Sequence, residues 1–137
     1  ARGVIAGLTQ GTTRAHIVRA ALESMAHQVH DLAGAFAADG APWTNLRIDG
    51  GMSANDWIAQ DLADILNLPV ERPADVETTA RGAAMLAAVG AGLHASLEDA
   101  AAAMPIRQRF KPRMTAPTRA ARLGNWNDIL RTAIGGS

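Results

Sequence analysis

The chain changes its hydrophobic period between Leu46 and Leu66. Leu46-Arg47-Ile48-Asp49 alternates every second residue and runs into Gly50-Gly51; Ile58, Leu62, Ile65 and Leu66 then recur at helical spacing. The switch describes a strand giving way to a helix across a glycine turn, where the backbone can take conformations closed to other residues. Ser53, three residues before Asp56 and just ahead of the apolar face, is expected to start the helix.

Flanking segments extend the pattern. Over residues 16–38, Val18, Leu22, Met25, Val29, Leu32 and Phe36 are spaced alternately by four and three, an amphipathic helix that should stop near Gly40 and Pro42. The helix after Ser53 should end at Asn67-Leu68-Pro69, and Val70-Glu71-Arg72, bounded by Pro73, reads as a brief strand. A further helix is expected from about Glu77 to Ala91, with Gly82, Ala83, Ala87 and Gly90 allowing close approach to a sheet. Another runs from Leu97 to Met104 behind Ser96 as cap. After an Arg-rich stretch, a last helix carries Trp126, Ile129, Leu130 and Ala133 on one side and ends at Gly135-Gly136. Helix, strand, helix, strand, helix implies an α/β layer with parallel strands. So few strands leave open edges, which favours further strands from chain outside this sequence.

With 137 residues there is room for one domain with a core, not for two with a cleft between them. Thirteen acidic and thirteen basic residues cancel, so no overall field draws the molecule toward nucleic acid or an anionic membrane. The lack of Cys excludes disulfides, thiolate nucleophiles and Cys-ligated zinc, and accords with the cytoplasmic location expected here. No apolar run approaches the ~20 residues of a membrane span, and the first residues lack the apolar core of a signal peptide. The chain opens on Ala1, and Gly3-Val4-Ile5-Ala6-Gly7-Leu8 reads as chain already inside a fold, so a piece of something longer is expected.

The bend from Ile48 to Asn55 is the leading candidate for chemistry. Ligands of open α/β sheets bind beyond the carboxyl ends of strands. Glycines there let main chain approach a nucleotide, free amides at the next helix start favour an anion, and Asn55 offers a donor and an acceptor to a base or ribose edge. The alternative is a tight turn with Asn55 as a cap. Other candidates carry less. His27 and His30 share a helical face with Asp31 nearby, but no third metal ligand follows, and a solvated face is expected. His16 and His94 suit capping or surface roles. Arg107, Arg109, Lys111, Arg113, Arg119 and Arg122 are interleaved only by Phe110 and broken by Pro112 and Pro117, which describes a solvated tail packing on another lobe rather than a nucleic-acid site. Trp43, Trp57 and Trp126 read as core or interface anchors. Asp61 and Asp64, three apart and away from Leu62 and Leu66, read as a solvent face. No Gly-x-Ser-x-Gly elbow is present.

The run from Gly3 to Glu23, GVIAGLTQGTTRAHIVRAALE, resembles the second signature of the FGGY family of carbohydrate kinases. Asp49-Gly50-Gly51 with Asn55, the block Glu77-Thr78-Thr79-Ala80-Arg81-Gly82-Ala83-Ala84, and Phe110-Lys111-Pro112-Arg113-Met114 with the late Trp126 are similar to further blocks of that family in the same order. The resemblance thus covers essentially the whole chain. Arg81 departs from it, standing where an apolar residue is expected. Within the family, Gly-Leu-Thr-Gln-Gly-Thr-Thr-Arg-Ala-His is most similar to the members that act on glycerol.

The resemblance implies that residues 1–137 are a carboxyl-terminal, nucleotide-binding part of an actin-like (RNase H-like) ATPase domain, with helices packed on a small mixed or parallel sheet. Gly50, Gly51, Met52 and Asn55 are implied in the adenosine pocket. The catalytic aspartate and the glycerol-binding residues of the family lie upstream, so no catalytic residue and no metal ligand is assigned in this sequence. The implied reaction transfers the γ-phosphate of ATP to glycerol, with Mg²⁺ bound mainly through the nucleotide and the missing lobe. ATP, ADP and glycerol are the expected partners, with no nucleic acid and no membrane, and the intact chain is expected to form a homo-oligomer. Two alternatives stay open: a kinase of the same family acting on another polyol or a sugar such as xylulose, and a nucleotide-binding module that transfers nothing.

Overall fold

The computed structural model describes residues 3–73, 78–102 and 106–135. Along them run α1 (Arg14–Ala38), β1 (Leu46–Arg47), α2 (Asp56–Leu66), β2 (Val70–Pro73), α3 (Thr78–Gly90), α4 (Leu97–Ala102), β3 (Ile106–Phe110) and α5 (Ala116–Gly135), with a 3₁₀ turn, Gly51–Ala54, between β1 and α2. The sheet order is β1-β2-β3. β1 and β2 are parallel, whereas β3 runs antiparallel to β2 with Val70 opposite Phe110 and Glu71 opposite Arg109. The sheet is therefore mixed rather than all parallel, because part of the stretch read as a solvated tail folds back as β3.

Local chemistry sets most boundaries. α1 opens on a capping box: the Thr13 hydroxyl accepts from the His16 amide, and His16 Nδ1 accepts from the Thr13 amide at 3.2 Å. α2 stops at Asn67, whose φ of 55° is a left-handed conformation that Asn tolerates. Its start is Asn55 rather than Ser53, since the 3₁₀ turn inserted after the glycines moves the cap two residues along. Ser96 caps α4 by accepting from the Asp99 amide. The expected boundaries at Glu77, Met104 and Gly136 lie outside the described residues. α5 begins ten residues ahead of Trp126 and takes in Pro117, which its first turn accommodates because amides there have no partner within the helix.

The core gathers around α2, whose Ile58, Ala59, Leu62, Ala63 and Ile65 are buried with Val70 and Phe110 of the sheet and Ala26 of α1. Only the middle of the α1 stripe joins it. Leu22, Met25 and Val29 pack on the core, while Val18, Leu32 and Phe36 stay exposed, Phe36 lying 5.4 Å from the ring of Trp43. α3 packs chiefly on α4, and a Cβ at Gly82 or Gly90 would meet nothing within 4 Å among the described residues, so those glycines do not make the expected approach to the described sheet.

The Arg-rich stretch departs furthest from expectation. Three of its cations, Arg109, Arg119 and Arg122, are met within the chain. Arg109 and Arg47 reach the buried Glu71 from the strands on either side, at 2.5 and 3.2 Å. Arg122 holds Asp61 through two hydrogen bonds of 2.5 and 3.0 Å. Asp64 Oδ1 accepts from the amides of Arg113 and Met114, and Arg119 donates to the Asp64 carbonyl. Asp61 is 6% exposed, so it and Asp64 are not a solvent face but the seat of the carboxyl-terminal segment.

These pairs shift the groups that make them. Burial pushes the Glu71 carboxyl up, but the hydrogen bonds and charges of Arg109 and Arg47 outweigh it and hold the group below its ordinary value. The hydrogen bond to Asp61 makes Arg122 hold its proton more firmly than usual, against the opposing effect of burial. Glu71 binds its proton more weakly folded than unfolded, so its contribution is present above about pH 4.5 and is lost as pH falls through the lowered folded value. Denaturant titrations at several pH values should show stability declining below about pH 4.5, and Glu71→Gln should flatten that decline. Asp61→Ala removes both hydrogen bonds from a largely buried guanidinium, leaving it Glu23 at 3.8 Å, and should lower the unfolding free energy by about 3 kcal/mol in the same assay.

Candidate functional site

β1 is prolonged by one bond past its last residue, where the Ile48 amide donates to the Glu71 carbonyl at 3.0 Å. The chain then leaves the sheet. Gly50 has φ 88° and ψ 174°, a conformation that a Cβ disfavours, so the backbone itself requires glycine here. Gly51 is different: its φ lies outside the left-handed range, and a Cβ on it would meet nothing within 4 Å among the described residues. Neither backbone strain nor crowding by the described residues explains that glycine. The 3₁₀ turn is closed by the Ser53 amide and hydroxyl, both donating to the Gly50 carbonyl at 3.0 and 2.7 Å, and by the Asn55 amide donating to the Met52 carbonyl.

Gly50, Gly51, Met52 and Asn55 thus lie together and exposed beyond the carboxyl end of β1, Met52 being 56% exposed. The cap reading of Asn55 is realised. Its Oδ1 accepts from the Trp57 and Ile58 amides at 3.0 and 3.4 Å, so its carbonyl is engaged and its side-chain NH₂ is what it can offer a ligand. The same bonds occupy the Trp57 and Ile58 amides of α2, which are therefore not free for an anion as the sequence suggested. What the bend presents is bare main chain, a thioether and a donor amide, a surface without a cation of its own.

One residue under the bend was missed in the sequence. Arg72 of β2 is 6% exposed. It donates to the Ser53 carbonyl and the Asp56 carboxylate, each at 2.7 Å, and to Gln108 Oε1 of β3, while its guanidinium lies 5.4 Å from the Phe110 ring centroid. Its one signal in the sequence was a charge in a short strand, which does not reveal partners at positions 53, 56 and 108.

Other candidates find structural roles. His27 is not solvated: it is 6% exposed, stacks on Trp126 at 5.2 Å, and its Nδ1 lies 2.7 Å from the Glu23 carbonyl. Trp126 Nε1 donates to Asp31, and Trp57 lies under the Arg19 guanidinium at 4.4 Å, so both tryptophans are anchors within the domain. His16 caps α1, and His94 pairs with Asp99 at 3.0 Å. Among the described residues no group of three or more His, Cys, Asp or Glu could hold a metal ion, and no helix is long and apolar enough to cross a membrane. A cavity of about 420 Å³ opens between residues 4–6, α1 and α5, bordered by His27, Arg122 and Trp126, and none of the bend residues lines it.

Residues 1–91 match the FGGY family of carbohydrate kinases, C-terminal domain, and the chain belongs to that family. It is 48% identical over 134 residues to the glycerol kinase of Gluconobacter oxydans (strain 621H), covering 97% of this chain and 26% of that one. Over 137 residues it is 47% identical to the glycerol kinase of Rhodospirillum centenum (strain ATCC 51521 / SW), covering 100% and 28%. The fold matches the crystal structure of Plasmodium falciparum glycerol kinase with ADP at a TM-score of 0.85 and 32% identity, over 96% of this chain and 27% of that one. A xylulose kinase from Lactobacillus acidophilus, at TM-score 0.82 and 23% identity over 100% of this chain and 28% of that one, shares the fold alone. The architecture is that of the actin-like ATPase domain the resemblance implied, and the chain spans about a quarter of the length of the curated relatives it matches.

Because Asn55 caps α2, its substitution acts on stability before any ligand is considered. Asn55→Ala should lower the unfolding free energy by about 1 kcal/mol, and Asn55→Ser, which keeps a capping oxygen, by a few tenths at most. Urea titration of the two variants checks this.

Proposed function

We propose that the intact protein transfers the γ-phosphate of ATP to glycerol, giving glycerol 3-phosphate, and that this segment holds part of the adenosine. The carrying observation is Gly51. Its backbone admits other residues and the described residues leave the space above it open, so a side chain is absent where they would tolerate one, and room is left for a ligand. Gly50, Gly51 and Met52 offer main chain and a thioether against which a flat base can lie, and the Asn55 NH₂ can donate to a base or ribose edge. Glycerol is favoured over a sugar because identities of 47–48% are to proteins named glycerol kinase, while the likeness to a xylulose kinase is one of fold.

The segment's share is nucleotide affinity and lobe closure. Phosphoryl transfer depends on positioning and on neutralising phosphate charge. Mg²⁺ would arrive on the phosphates, bound mainly through the nucleotide and the lobe that the family resemblance places outside this segment. No residue here is assigned as general base. A cytoplasmic location, supported by the lack of Cys, and a homo-oligomer of the intact chain belong to the same reading.

In the intact enzyme, Gly51→Ala should weaken ATP binding about fivefold by calorimetry, roughly 1 kcal/mol, with glycerol affinity and melting temperature unchanged. Asn55→Ser, which keeps the cap but removes the NH₂, should act in the same direction. ATP binding unaltered in both variants would remove the bend from the site. A substrate panel in which xylulose outpaced glycerol would reassign the acceptor.

A further inference from the structure

β2 places an arginine on its core side. Val70 is fully buried with α2, and Arg72, two residues on, turns to the same face of the sheet, over Phe110. An apolar side chain of similar volume in such a place is often no less stable than a buried ion pair, so stability is a weak reason for a cation there. What the guanidinium provides is direction. One nitrogen takes the Ser53 carbonyl, and another takes the Asp56 carboxylate and Gln108 Oε1.

Ser53 and Asp56 stand on either side of Ala54 and Asn55. Ser53 is in turn tied to Gly50 through its hydroxyl and its amide. A chain of hydrogen bonds thus runs from β3 through Arg72 to the turn, and the exposed residues between its fixed points are those of the bend. Met52 and Asn55 make no contact of their own with the sheet among the described hydrogen bonds. Their position is set by what holds Ser53 and Asp56.

We propose that Arg72 is a positioning residue for the nucleotide: it fixes the height and tilt of the Gly50–Asn55 bend against the sheet, so that the Gly51 main chain and the Asn55 NH₂ meet the adenosine together. This rests on the reading of the bend as part of the adenosine site. Arg72 itself lies beneath the turn and touches no ligand. Its effect falls on the nucleotide side of the reaction, leaving the acceptor alcohol untouched.

The test uses the intact enzyme and steady-state kinetics. Arg72→Met, which keeps volume and removes direction, should raise KM for ATP about tenfold, with KM for glycerol and kcat within about twofold, a loss of binding common to ground and transition states. Arg72→Lys should recover part of the loss, since an ammonium can reach one or two of the acceptors but not hold the planar fork. Combined with Asn55→Ser, Arg72→Met should lose less than the two single effects multiplied, because both act through one contact. An unchanged KM for ATP in a folded Arg72→Met enzyme, with Gly51→Ala and Asn55→Ser both raising it, overturns the positioning role and leaves the adenosine site standing. If none of the three raises it, the site itself is wrong and the inference falls with it. Should Arg72→Met not fold, Asp56→Asn decides, because that carboxylate is 65% exposed and its loss slackens one arm of the clamp. A two- to threefold rise in KM for ATP supports the role, and no rise overturns it.

Discussion

A carboxylate taken out of water has to be met by a cation or by hydrogen-bond donors, because the desolvation penalty otherwise amounts to several kcal/mol. Two buried acids on the central elements impose that condition, Glu71 on β2 and Asp61 on α2, and the half-buried Asp64 of α2 adds to it. Their non-local partners are Arg47 of β1 and residues between Arg109 and Arg122. The carboxyl-terminal part of the chain is therefore fastened to the centre by directional bonds at fixed points, with Phe110, Met114 and Leu123 supplying apolar contact beside them. Such fastening suits a small domain. Ile65 and Val70 are the largest fully buried side chains among the described residues, and a core of that size specifies position less firmly than a bidentate arginine does.

The same logic governs the bend. Arg72 is the one buried cation on the core side of β2, and it serves a main-chain carbonyl as well as an acid. A carbonyl partner makes the bond report on backbone position, which an ion pair between two flexible side chains does not. The turn gains a fixed relation to the sheet while its outer surface stays uncommitted, and a ligand that meets it loses little further freedom in the protein.

Legibility in the sequence followed the range of the interactions. The strand, the glycine bend and the helix behind it were readable because period and turn chemistry act within a few residues. The end of α2 at Asn67 and the caps at His16 and Ser96 were readable for the same reason. β3 was not, since an Arg-rich pentapeptide between Ile106 and Phe110 has the composition of a tail until Glu71 and Val70 are set opposite it. Asp61, Asp64 and His27 looked solvated because their partners lie about fifty to a hundred residues away. Of the site, the four exposed residues were named from the motif and the family resemblance. Arg72 was invisible, being linked to them through space alone.

The two glycines of the bend show why a motif and its function can be separated. Gly50 answers to the backbone, since its positive φ would strain any other residue. Gly51 answers to nothing among the described residues. Asn55 stands between these cases, for its oxygen belongs to the helix and its nitrogen does not. A glycine demanded by conformation carries no information about a ligand, whereas one the fold could replace, exposed beyond the end of a strand, carries some. Had Gly51 shared the backbone of Gly50, the bend would be explained as a turn, and the case for an adenosine above it would rest on resemblance alone.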